Sequence, residues 1–97
     1  MDHKVILKSA VDILGERGQD YGGIEDNFAR ISKITAAVLN KEISPYEIAM
    51  ILHCVKLARM SGSQGKIDNY VDGINYLAFA GQFATNESNK GDSNDQF

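Results

Sequence analysis

Hydrophobic residues recur along this chain at intervals of three and four positions, the spacing typical of amphipathic helices. The predicted helices span residues 4–16, 25–40, 45–60 and 67–84. Glycine-rich or polar segments separate them, at residues 17–24, 41–44 and 61–65. No stretch of any length alternates with the period of two that is typical of a strand. The pattern therefore indicates an all-α fold, a bundle of four helices.

The third predicted helix carries the clearest local signal. Ser44 suits the N-cap, Pro45 the first helical position and Glu47 the reciprocal position of a capping box. The residues from Ile48 to Val55 are apolar almost all the way round the helix, which predicts burial on several sides. In a chain of only 97 residues, such burial favours packing against a second copy, so we expect oligomerisation to complete the bundle.

The last residues differ in composition from the rest. Residues 1–84 are predicted to form one helical domain, whereas residues 85–97 are mostly Asn, Ser, Asp, Lys and Gly. Such a segment cannot bury enough apolar surface to order itself, so we expect a disordered C-terminal tail.

Charge and cysteine content exclude several classes of protein. The net charge of −3 disfavours binding to duplex nucleic acid, although two or three local cations suffice for a small phosphorylated ligand. Cys54 is the only cysteine, which rules out an intrachain disulfide, and its apolar neighbourhood predicts a buried, inert thiol. No apolar stretch is long enough to span a membrane, and the N-terminus lacks a signal-peptide core. We therefore expect a cytoplasmic protein with no membrane partner.

Two aspartates on the fourth helix are the main chemical signal. Asp68 and Asp72 are four residues apart, so they project side by side, shortly after Lys56 and Arg59 on the preceding helix. Such a group can hold Mg²⁺, a phosphate, or both. Alternatively, the acids form a solvated helix face and the cations complement a helix dipole. Asn75 and Phe79 continue the acidic stripe, and the face predicted to be buried comprises Ile67, Tyr70, Val71, Ile74, Leu77, Ala78 and Gly81.

A second candidate cluster lies where the first predicted helix ends. Arg17 and Tyr21 stand among glycines and can contact a phosphate and a base, respectively. Asn27 follows at the start of the second helix, where backbone N–H groups favour anions. The alternative is a helix C-terminus followed by an ordinary loop.

Together these residues resemble a known family. They are, in order, Glu16-Arg17-Gly18-x-x-Tyr21-Gly22, Asn27-Phe28, Lys56-Leu57-Ala58-Arg59 and Asp68-x-x-x-Asp72-Gly73-x-x-Tyr76. This set resembles a small domain common in bacteriophage genomes, which is similar to the MazG-like all-α nucleoside triphosphate pyrophosphohydrolases. The resemblance covers about residues 5–84. It implies a MazG-like helical fold, assembly into oligomers, and a nucleotide site between helices. For a phage-encoded protein, the expected location is the cytoplasm of the host cell.

The resemblance also implies which residues meet the ligand. Active members of that superfamily hold Mg²⁺ with a Glu-x-x-Glu pair on one helix and a Glu-x-x-Asp pair on another. Asp68 and Asp72 match the second pair loosely, and the first pair is missing, with Glu47 among the few nearby substitutes. The expected ligand-binding residues are Arg17, Tyr21, Asn27, Lys56, Arg59, Asp68, Asp72 and Tyr76.

Three hypotheses follow. The first is a nucleotide-binding oligomer that sequesters a phosphorylated ligand without efficient hydrolysis, with a cyclic immune signal of the host among the candidate ligands. The second is a Mg²⁺-dependent nucleoside triphosphate pyrophosphohydrolase, in which Asp68, Asp72 and either Glu25 or Glu47 hold the metal. The third is a helical assembly protein with no small ligand. No residue is assigned a catalytic role.

Overall fold

The computed structural model describes the backbone of residues 1–21 and 23–91 and the side chains of residues 1–17 and 23–86. Within those residues the chain forms four α-helices and no strand. They are α1 (His3–Tyr21), α2 (Ile24–Leu39), α3 (Pro45–Gly62) and α4 (Ile67–Gly91). The prediction of an all-α fold with four helices is confirmed.

Three helices extend beyond their predicted ends, and for α3 the extension is only two residues, to Gly62. Helix α1 continues through the glycine-containing segment to Tyr21, because one glycine inside a helix costs only about 1 kcal/mol and need not end it. Helix α4 continues past Ala84 to Gly91. There Thr85 is accommodated by its own hydroxyl, which donates to the backbone oxygen of Gly81 at 2.9 Å. Residues 92–97, the rest of the predicted tail, lie outside the described residues.

The connection between α2 and α3 follows its local chemistry. Asn40 ends α2 in the left-handed conformation (φ 54°), which asparagine tolerates better than most residues. Ser44 begins α3 with the predicted capping box. The Glu47 N–H donates to Ser44 Oγ at 3.1 Å, and the Ser44 N–H donates to Glu47 Oε1 at 2.9 Å.

Helices α3 and α4 form the most extensive pair, with α1 packed on α4 and α2 packed on α3. The central pair is closely packed at Gly73, where an added Cβ would be in van der Waals contact with α3. A Cβ at that position would lie 3.4 Å from Met60 Cε and 3.6 Å from Lys56 Cβ. His53 Nδ1 lies 2.8 Å from the Gly73 backbone oxygen, and since a carbonyl only accepts, this nitrogen carries the proton. His53 therefore joins the two helices.

The core lies where α2 meets the α3–α4 pair. Phe28 is 3% exposed, and its ring centroid lies 5.6 Å from that of Phe79 and 5.4 Å from that of Phe83. Ile48 and Ala49 of α3 are buried in the same cluster. One aromatic side chain of α2 thus anchors that helix to the rest of the protein.

The predicted faces of α4 need correction. Val71 is buried as predicted, but Leu77, Ala78 and Gly81 of the same predicted face are exposed, whereas Asn75 of the opposite face is only 7% exposed. The stripe that begins at Asp72 faces inwards because α1 packs against it. The amide of Asn75 satisfies part of its hydrogen-bonding capacity there by donating to a backbone carbonyl.

The surroundings of α3 also differ from expectation. Cys54 is exposed, so the prediction of a buried thiol is wrong. Ile51 and Val55 are exposed as well, and within one chain the apolar run is covered only on the sides that meet α2 and α4.

A helix able to cross a bilayer must be both long and continuously apolar, and none in the described part of the chain is.

Replacing Phe28 by Ala should lower the free energy of unfolding by about 3–4 kcal/mol, because it removes the aromatic side chain that three helices share. Chemical denaturation followed by circular dichroism measures this. The matched control is Val38→Ala on the same helix, where the side chain is 76% exposed and the change should stay within about 0.5 kcal/mol. Equal effects of both substitutions would contradict this assignment of the core.

Candidate functional site

A groove of about 500 Å³ opens between α1 and the first turns of α2, with α4 as its floor. One wall is the last part of α1, and the other begins at Gly23, the N-cap of α2. The side chains and backbone that line it are Ile13, Leu14, Arg17, Gly23, Ile24, Asn27, Phe28, Asp72, Asn75, Tyr76, Phe79 and Gln82. It is the size of pocket that small-molecule ligands occupy in other proteins.

One end of the groove is charged, and Asp72 is at its centre. Lys56 Nζ lies 2.9 Å from Asp72 Oδ2, and both side chains are largely buried, 12% and 13% exposed. Arg17 Nη1 lies 3.6 Å from Asp72 Oδ1, but the Arg17 side chain is 50% exposed. Two cations therefore share one carboxylate, which leaves this end with a net positive charge. Arg17 is the partner that is free to turn towards a ligand.

Asn75 lies one turn further along α4, nine-tenths buried in the floor of the groove. Its Nδ2 donates to the backbone oxygen of Ala10 at 3.0 Å and so fixes α1 against α4. Among the described residues, no hydrogen-bond donor meets its Oδ1. A buried amide oxygen in a cavity wall is a ready acceptor for an N–H or O–H group of a ligand or for water.

The other half of the groove is aromatic. The ring centroids of Tyr76 and Phe79 lie 6.3 Å apart, and Phe28 packs edge-on against Phe79. Beyond them Gln82 Nε2 donates to Glu25 Oε2 at 2.8 Å, which links α4 to the first turn of α2. The floor of the groove thus changes along α4 from charge to aromatic surface to amide.

The N-terminus of α2 borders the same groove. Its N-cap is Gly23, which offers no side chain to accept from the first backbone N–H groups. Gly23 and Ile24 both line the groove, so the partial positive charge of this helix end lies beside it. Glu25 and Asp26 in the first turn already complement part of that charge.

The structure brings together some of the predicted site residues. Arg17, Asn27, Asp72 and Tyr76 line the groove, and Lys56 reaches it through its ion pair with Asp72. Asp68 and Arg59 are exposed outside it. The side chain of Tyr21 lies outside the described residues. Among the described residues Arg59 makes no ion pair, so the cation that crosses to Asp72 is Lys56.

The acids predicted for Mg²⁺, which are Asp68, Asp72 and Glu25 or Glu47, do not meet within one chain among the described residues. Glu47 closes the capping box, nine residues before Lys56 on α3 and so roughly 13 Å away along that helix. Asp72 is engaged by two cations, and Asp68 is exposed on the preceding turn. In the part of the chain whose side chains are described, no three His, Cys, Asp or Glu residues are close enough to share a metal. These residues therefore do not fit a metal-holding cluster.

Several lining residues are not among the predicted site residues. Ile13, Leu14 and Phe28 follow the general apolar pattern of their helices, and nothing in the sequence separates them from core residues. The positions of Asn75 and Gln82 could have been predicted from the sequence. They follow Asp72 by three and ten residues and therefore lie on the same side of α4.

The fold and groove define a small helical domain with a mixed polar and aromatic site. Residues 5–84 match the family described as a domain of unknown function (DUF6378), and the chain belongs to that family. It is 30% identical over 76 residues to the Gene 55 protein of Mycobacterium phage D29, a match that covers 78% of this chain and 50% of the phage protein. The chain thus spans about half the length of this curated relative, which is encoded by a bacteriophage. No solved structure matches the chain.

Replacing Asp72 by Asn should lower the free energy of unfolding by about 2 kcal/mol, because it leaves the buried Lys56 charge without its carboxylate. Adding Lys56→Met should recover part of that loss, as a double-mutant cycle would show. The control is Asp68→Asn, the same change one turn earlier at an exposed position, with an expected effect within about 0.5 kcal/mol. Equal losses from the two aspartates would contradict a special role for the buried pair.

Proposed function

We propose that the groove binds a small ligand that carries both a phosphate and an aromatic base, and that the protein holds this nucleotide without efficient hydrolysis. The observation that carries the proposal is the joining of two kinds of surface in one groove. Arg17 and Lys56 lie at one end, and Tyr76 and Phe79 lie next to them. Neither a purely apolar ligand nor a simple inorganic anion would use both.

At the charged end, the phosphate replaces Asp72 as the partner of Arg17. That exchange requires little rearrangement, because the Arg17–Asp72 pair is long and half of the Arg17 side chain is already in solvent. Lys56 keeps its shorter contact with Asp72 and adds positive potential. A planar guanidinium can donate hydrogen bonds to two oxygens of one phosphate at the same time. The N-terminus of α2 adds N–H donors on the opposite wall.

At the aromatic end, the base packs against Tyr76 and Phe79. Stacking of a base on an aromatic side chain contributes about 1–3 kcal/mol and tolerates every base. Selectivity among nucleotides therefore depends on hydrogen bonds. Asn75 Oδ1 accepts one from the base or the sugar, and the amides of Asn27 and Gln82 provide others.

Binding without turnover is supported by the residues of α2. Between Phe28 and Leu39 this helix has no acidic residue, so it lacks the first acid pair of the MazG-like pyrophosphohydrolases. Phosphoanhydride hydrolysis in that superfamily depends on metals that such pairs hold. For a phage-encoded protein, sequestration of a nucleotide signal, cyclic immune signals of the host included, is a use that needs affinity alone. The proposal includes assembly into a homo-oligomer, which the apolar side chains left exposed on one chain support.

Replacing Arg17 by Ala should weaken nucleotide binding by about 10- to 100-fold, the equivalent of one charge-assisted contact to phosphate. Isothermal titration calorimetry measures the effect, and the thermal midpoint of the free protein should change little because the side chain is half exposed. Arg30→Ala is the matched control, an arginine on the exposed side of α2 that does not line the groove. Equal losses in both variants would indicate general electrostatics rather than this site.

A thermal-shift panel of linear and cyclic nucleotides, with and without Mg²⁺, should find at least one ligand that raises the melting temperature of the protein. The bound ligand should return intact after prolonged incubation with Mg²⁺ and denaturation of the protein, as chromatography would show. Release of monophosphate and pyrophosphate over many turnovers would instead support the hydrolase. No shift with any nucleotide would favour an assembly protein without a small ligand.

A further inference from the structure

The side of α3 that faces away from α4 is apolar and uncovered. His53, Lys56 and Met60 point to Gly73 and Asp72 of α4. On the opposite side Ile51, Cys54 and Ala58 recur at intervals of three and four, and all three are exposed. Val55 and Leu57 flank them and are exposed too. This outward α3 face, defined by residues 51, 54, 55, 57 and 58, carries no charge along its length.

Charges of opposite sign stand at the two ends of the outward α3 face. Glu47 is exposed at the N-terminal end and Arg59 at the C-terminal end. Among the described residues, the Arg59 guanidinium has neither an ion-pair partner nor a side-chain hydrogen bond. Glu47 and Arg59 are equally far along the helix from position 53, and Ile51 and Val55 are equally far from it as well. The face is therefore complementary to itself when one copy is turned end over end.

We propose that the outward α3 face is a homodimer interface in which α3 packs antiparallel on the α3 of a second copy across a two-fold axis near position 53. In this arrangement Ile51 packs on the partner's Val55, and Glu47 lies beside the partner's Arg59. A two-fold interface uses the same patch on both subunits, which is the property that this face has. The small side chains of Cys54 and Ala58 allow a close approach of the two helices. The inference does not rest on the groove or on its ligand.

The position of Cys54 makes the proposal directly testable. It is the only cysteine of the chain, and it lies next to the proposed axis. For packed helices about 9 Å apart, the Cα atoms of Cys54 and the partner's Cys54 would be about 5 Å apart, within the range of a disulfide. We expect the purified protein to be a dimer, or a higher oligomer built from dimers, by light scattering. Mild oxidation should then link the two copies by a disulfide that reducing conditions cleave. A short bismaleimide reagent should also give a covalent dimer, and Cys54→Ser should abolish it.

The interface variant is Ile51→Glu, which should weaken the dimer at least about 100-fold by placing two unpaired charges in an apolar contact. The control is Val38→Glu, which adds the same charge at an exposed apolar position of α2, outside this face. Circular dichroism melts verify that both variants remain folded. Loss of the dimer only in Ile51→Glu supports the proposal. A monomeric wild-type protein, or a dimer that survives Ile51→Glu or fails to cross-link at Cys54, would overturn it.

The charged ends test the antiparallel orientation separately. Arg59→Glu should weaken the dimer several-fold, because it places like charges beside each other at both ends. Adding Glu47→Gln should restore most of the affinity, since glutamine keeps the capping box and removes the repulsion. A double variant no better than Arg59→Glu alone would overturn this pairing.

Discussion

The structure depends on the close approach of α3 and α4 at Gly73. Gly73 is buried against α3, and a Cβ at that position would be in van der Waals contact with Met60, Lys56 and His53. That contact fixes the rotation of α4 about its own axis. With Gly73 turned to α3, Asp72 lies within reach of Lys56, and the stripe that follows it, Asn75, Tyr76 and Phe79, is turned to the space between α1 and α2. The groove is thus a consequence of how one helix pair packs.

Much of the fold could be predicted from local chemistry. The capping box at Ser44 and the apolar periodicity give four helices in the right places, because capping and amphipathicity are properties of neighbouring residues. The rotation of α4 could not be predicted in this way. Hydrophobicity places Val71 correctly on the buried side, but Leu77 of the same predicted side is exposed and Asn75 of the opposite side is buried. The burial of Asn75 depends on a carbonyl of Ala10, far away in sequence, whose position is set only after α1 has packed. Cys54 was misassigned for a related reason, since an apolar run does not indicate which of its sides a single chain covers.

Only part of the candidate site could be predicted, because it too depends on how distant helices pack. Arg17, Asn27, Asp72 and Tyr76 come from three helices, and the family resemblance, rather than spacing, brought them into one set. Asp68 and Asp72 are adjacent on one helix, yet their surroundings differ completely. Asp72 balances two cations in a largely buried place, while Asp68 is in solvent. Spacing along a helix sets which side chains are neighbours, but only the packing of other helices decides which of them are buried.

The attachment of α1 has a mechanical consequence. This helix rests mainly on α4, where the hydrogen bond from Asn75 to the Ala10 carbonyl is its buried polar tie. The groove is therefore bounded by one wall tied to α4 through Asn75 and by one wall anchored through Phe28 in the core. Among the described residues α1 and α2 barely contact each other directly, so any molecule seated between them acts as a strut that keeps the two helices at a set spacing.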